Sequence, residues 1–77
     1  MQNHNLINKI GFINELSNII NNAIKDADNL LLDIRTNTYA FNEYMRKNEV
    51  LLEMYANIIN ATYIIEQLSD EVEANSN

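Results

Sequence analysis

The chain has 77 residues, no cysteine, no proline and one glycine, and its formal net charge is −6. That length allows one domain, and a 47% hydrophobic fraction belongs to a folded chain. The composition excludes a disulfide scaffold and a glycine-rich phosphate loop, and the excess negative charge argues against direct binding to nucleic acid or to an anionic membrane.

Met1 to Asn8 carries no basic n-region, and no apolar run approaches the length of a signal sequence or membrane span. The expected location is therefore the cytoplasm, of a bacterial cell or of a host cell if the gene is viral. Asn and Ile are frequent where Ala, Leu, Glu and Lys would serve a helix better, which points to a natural gene of AT-rich codon usage.

The first helix should start within the first residues, where Asn3 and Asn5 are acceptable caps. His4, the single histidine, reads as a solvated residue rather than a ligand. From Leu6 the apolar positions run Leu6, Ile10, Ile13, Ser17, Ile20, Ile24, Ala27, Leu31 and Ile34, in alternating steps of four and three. A second set lies beside it at Phe12, Leu16, Ile19, Ala23 and Leu30. Two adjacent stripes imply more than one neighbour. Gly11 falls within this helix at a cost of about 1 kcal/mol relative to alanine, as a close helix crossing or a tolerated defect.

The helix can end at Asp26-Ala27-Asp28-Asn29 or at Arg35-Thr36-Asn37-Thr38. The unbroken heptad phase favours the later stop, and Thr36, Asn37 or Thr38 would cap the next helix. Tyr39, Ala40, Phe41, Tyr44 and Met45 then restart an apolar face. From Asn48 to Val72 two seams overlap. One takes Leu51, Tyr55, Ile58, Thr62, Ile65, Ser69 and Val72, and the other takes Leu51, Met54, Ile58, Ala61, Ile65, Leu68 and Val72. Arg46 and Lys47 could instead close one helix while Asn48 caps another.

These patterns predict an all-α single domain over residues 1–77. Helices of roughly 5–35 and 38–73 would form an antiparallel hairpin, coiled-coil in its packing, that pairs as a homodimer into a four-helix bundle. The alternative is a monomeric three-helix bundle with breaks near Asp26 and Asn48. So small a core, with no disulfide or metal to reinforce it, favours self-association. The polar end, residues 74–77, is expected to fray.

Charge placement narrows the function. Residues 1–47 hold every Lys and Arg (Lys9, Lys25, Arg35, Arg46, Lys47), cancelled by Glu15, Asp26, Asp28, Asp33 and Glu43. The net charge therefore comes from Glu49, Glu53, Glu66, Asp70, Glu71 and Glu73. Those six acids, with Tyr39 and Tyr44, are the candidate partner-binding residues. Glu66, Asp70 and Glu73 share one helical face, but a bundle metal site also needs Glu-x-x-His pairs, which the chain lacks. Neither metal nor cofactor is expected. No nucleophile motif is present either, so the expectation is a non-enzyme. The reading is a small acidic module that binds a basic protein surface, such as an inhibitor or antitoxin encoded by a phage or mobile element. The rival is a structural or chaperone-like adaptor that binds an apolar client helix.

Overall fold

The computed structural model describes residues 2–75, with side chains from Asn5 onward. The chain forms two helices, α1 (Gln2–Thr36) and α2 (Phe41–Asn75), joined by a short turn into an antiparallel hairpin. Neither helix breaks, so Asp26 lies inside α1 and Asn48 inside α2. His4 falls outside the described side chains. Of the end expected to fray, Ala74 and Asn75 belong to α2, and residues 76 and 77 lie outside the described residues.

The helices meet along one heptad seam each. With Leu6 and Tyr44 both labelled a, half-buried or buried residues occupy positions a and d throughout. In α1 these are Leu6, Lys9, Ile13, Leu16, Ile20, Ala23, Ala27, Leu30 and Ile34. In α2 they are Tyr44, Lys47, Leu51, Met54, Ile58, Ala61, Ile65, Leu68 and Val72. The expected first seam of α1 thus kept its a residues, while of its alternates Ser17 and Leu31 are half-buried and Ile10 and Ile24 are not. Ile10 and Ile24 sit one place round the helix, at position e, and remain exposed, while Leu16, Ala23 and Leu30 pack instead. In α2 the seam through Met54, Ala61 and Leu68 prevails, and Tyr55, expected on the other seam, is 37% exposed. The physical reason is polarity. The e positions include Ser17, Asn48, Thr62 and Ser69, whereas most d positions away from the ends are apolar, so the a/d phase buries more hydrocarbon.

Lys9 and Lys47 are the exceptions at d, and each is neutralised across the hairpin. Lys9 pairs with Glu71 and Lys47 with Asp33, both at 3.0 Å. These pairs fix the register, with position d of one helix beside position g of the other.

The turn is built without a left-handed residue, since no described residue has positive φ. Residue Asn37 donates its backbone N–H to the Asp33 carbonyl at 3.1 Å, and the Thr36 hydroxyl donates to the Leu32 carbonyl at 2.7 Å, closing α1. At the start of α2 the Ala40 carbonyl accepts from the N–H groups of Glu43 and Tyr44, both at 3.0 Å. Ala40 therefore stands at the N-cap, not Thr36, Asn37 or Thr38, and its methyl satisfies no orphan N–H. Glu43 already occupies the third helical position, so Ala40→Ser would complete a capping box. This variant is expected to raise stability by about 0.5–2 kcal/mol in urea titration followed by circular dichroism.

Gly11 is exposed, and a methyl group there would meet nothing within 4 Å. The glycine is a tolerated helix defect and not a site of close crossing.

Candidate protein-binding surface

The acids of α2 divide into groups. Glu49 and Glu53 lie one turn apart on the outer face near the turn. Glu66, Asp70 and Glu73 share the outer face at the open end of the hairpin, roughly 25 Å further along at 1.5 Å per residue. All five are exposed. Glu71 is turned toward α1 and pairs with Lys9, an ion pair whose side chains are 33% (Lys9) and 55% (Glu71) exposed. At such exposure the pair contributes little to stability. Lys9 is the only Lys or Arg before Lys25, so the open end is strongly acidic. The turn end is balanced, with Arg35, Arg46 and Lys47 set against Asp33, Glu43 and Glu49.

Two of the open-end acids, Glu66 and Asp70, do little for the fold. Glu66 and Asp70 are like charges one turn apart, and α2 has no basic residue in its last turn to meet the negative end of the helix dipole. Each effect costs a few tenths of a kcal/mol. Among the described residues, no three His, Cys, Asp or Glu side chains come together as metal ligands could.

Tyr39 and Tyr44 face inward on the turn. The Tyr39 hydroxyl donates to Asp33 Oδ1, and the Asn37 side-chain amide donates to the same oxygen. Lys47 Nζ donates to Asp33 Oδ2 at 3.0 Å and stands 4.4 Å from the centre of the Tyr39 ring. The Tyr44 ring meets Tyr39 edge-on at 5.7 Å, and its hydroxyl donates to the Asn37 carbonyl at 2.8 Å. Both hydroxyls are thus engaged within the chain. The sequence reading missed this cluster, although its preferred helix of roughly 38–73 holds Lys47 in its interior; only the alternative with a break near Asn48 puts Lys47 at a helix end. The available signal was a lysine on a heptad seam, which needs a counter-charge on the facing helix.

Hydrogen bonds from Tyr39, then Lys47, then Asn37 hold the Asp33 carboxyl down at about 2. The same contact with Asp33 raises both the Tyr39 phenol and the Lys47 ammonium. A depressed carboxyl stabilises the fold above its unfolded value, near 3.9, and that contribution is lost as pH falls from there through about 2. Asp33→Asn is expected to destabilise the hairpin at neutral pH. The gap to the native chain should close between about pH 5 and pH 2 in thermal melts. A gap that stays constant across this window would show that Asp33 acts through packing alone.

A shallow, open groove of about 390 Å³ lies beside the turn, lined by Leu30, Glu43, Arg46, Lys47 and Val50. Its lysine is committed to Asp33, and its remaining charges are of mixed sign. No described helix is long and apolar enough to cross a membrane. No protein-family model, curated protein or solved structure matches the chain.

Proposed function

We propose that this chain is a small, non-enzymatic protein-binding module. Two hairpins pair into a four-helix bundle that presents acidic ends to a basic protein surface. The observation that carries this reading is surface area. A compact monomer of 8.9 kDa should expose about 4,800 Å², whereas this hairpin exposes 6160 Å². Its radius of gyration is 17.4 Å, against about 11.5 Å for a compact chain of this length. The excess, about 1,300 Å², is more than one side of a standard protein interface covers. Among the described residues only Ala27 and Leu51 are buried, while Phe41, Leu52, Ile59 and Ile7 are each at least 65% exposed. A hairpin with so little interior is half of a larger core.

The acidic end supplies the second part of the reading. Glu66 and Asp70, like charges one turn apart on an exposed face, work slightly against the helix they sit on and fit a role outside the fold; with Glu71 and Glu73 they make this end acidic. An inhibitor or antitoxin that occupies a basic site on its target, in the cytoplasm of a bacterial or infected cell, has this character. The test is titration of a protein captured from host lysate with the native chain and with the variant in which these four residues become Gln. The variant should bind at least roughly tenfold more weakly at low salt and lose most of the salt dependence. Equal affinity would end the acidic-surface reading.

A second reading, an adaptor for an apolar client helix, draws on the exposed side chains of α2. In that case Leu52→Glu would abolish capture while the four-Gln variant still bound.

A further inference from the structure

The two long sides of the hairpin differ in chemistry. Because the helices are antiparallel, position g of α1 and position g of α2 flank one side of the seam, and the two e positions flank the other. The g side has exposed apolar residues at Phe12, Ile19, Val50 and Ile64, but it is interrupted by the ion pairs Lys9–Glu71 and Asp33–Lys47 and by the acids Asp26 and Glu43. Every e position from Ile10 onward is uncharged: Ile10, Ser17, Ile24 and Leu31 on α1, and Phe41, Asn48, Tyr55, Thr62 and Ser69 on α2. The polar members are largely satisfied already. The Ser17 and Thr62 hydroxyls and the Asn48 amide each donate to the carbonyl four residues earlier on their own helix, at 2.8 Å. Such a face can be covered without stranding those donors.

The e side also holds a second seam. On α2, positions e and b give Phe41, Met45, Asn48, Leu52, Tyr55 and Ile59 in steps of four and three, before the same stripe turns polar at Thr62, Glu66, Ser69 and Glu73. The a/d seam already faces α1, so this stripe lies about a quarter-turn round the helix, where a second bundle neighbour would sit. Phe41, Leu52 and Ile59 are 75%, 68% and 66% exposed.

We infer that a second copy of this chain seats on the e side, with the α2 stripes of the two copies packed antiparallel and the two turns pointing in opposite directions. This rests on the bundle reading above and adds which face is covered and in which sense. Charge decides the sense. With both turns at one end, the open ends would bring two sets of Glu66, Asp70, Glu71 and Glu73 side by side. The opposite sense separates them along a hairpin 58 Å long, several times the screening length of about 8 Å at physiological salt. It also overlaps the apolar, turn-proximal part of each α2 and leaves an acidic patch projecting at either end.

The test uses three single-residue variants of the full chain, checked for native helicity by circular dichroism and weighed by sedimentation equilibrium. Leu52→Glu, on the e side, should raise the dimer dissociation constant at least 100-fold. Ile64→Glu, on the g side and 45% exposed, should change it less than threefold. Because the chain has no cysteine, Thr38→Cys gives a single spin-label site at the turn. The distance between labels should exceed about 30 Å if the overlap is centred near Asn48–Leu52, from a rise of 1.5 Å per residue. A monomeric native chain at all concentrations overturns the bundle reading itself. A dimer broken by Ile64→Glu and spared by Leu52→Glu overturns the e-side assignment and leaves the bundle reading standing. Labels within about 20 Å overturn the antiparallel sense alone, since turns at one end would lie a helix pair apart.

Discussion

Leu51→Ala is expected to remove about 2–5 kcal/mol of stability, the largest loss available from a single truncation in this hairpin. Leu51 is 7% exposed and is the one buried residue of α2 among those described. Its neighbours on the seam, Lys47, Met54 and Ile58, are only half-buried, so few other atoms can close over the cavity. Loss on this scale is a large share of the 5–15 kcal/mol typical of a whole domain. Urea titration followed by circular dichroism should show the midpoint falling with the slope preserved. Leu52→Ala is the informative contrast. Leu52 is adjacent in sequence but 68% exposed, so it has little intramolecular packing to lose. Under the proposed pairing, most of its cost should appear at protein concentrations where a second copy would be bound. A Leu51→Ala loss below about 1 kcal/mol would mean that the seam does not hold the hairpin together.

Fold class and the two-helix layout were legible because they depend on periodicity, which a sequence displays directly. The heptad of α1 runs without a phase slip from Leu6 to Ile34, and that continuity correctly carried the helix through Asp26. Choosing between overlapping seams was harder. Positions d and e are both partly apolar in each helix, as Leu16 beside Ser17 and Met54 beside Tyr55 illustrate. The choice depends on what the facing helix offers, which one helix's pattern does not contain. The N-cap was misread for a related reason. Thr36, Asn37 and Thr38 are all better capping types than Ala40, but Thr36 and Asn37 are drawn into closing α1. The turn cluster also escaped notice, because Asp33 and Lys47 lie far apart along the chain. As for the proposed binding site, the open-end acids were visible as a charge segregation. The contrast between the e and g sides needed the register that the two ion pairs define.

Ala27 provides the complementary test of that register. It is 1% exposed, the most buried of the described residues, in spite of its small side chain. A methyl group so fully covered means that the facing backbone and side chains close directly over it. The pairs Lys9–Glu71 and Asp33–Lys47 place Ala27 within a turn of Leu51 on the opposite helix. Ala27→Leu should therefore overpack this layer and cost about 1–3 kcal/mol, although leucine is nearly as good a helix former as alanine. The double variant Ala27→Leu with Leu51→Ala moves the bulk from one helix to the other across the layer. If the two positions share it, the double variant should be more stable than the sum of the single losses predicts, by about 0.5–3 kcal/mol. Strict additivity would show that Ala27 and Leu51 are buried in separate layers.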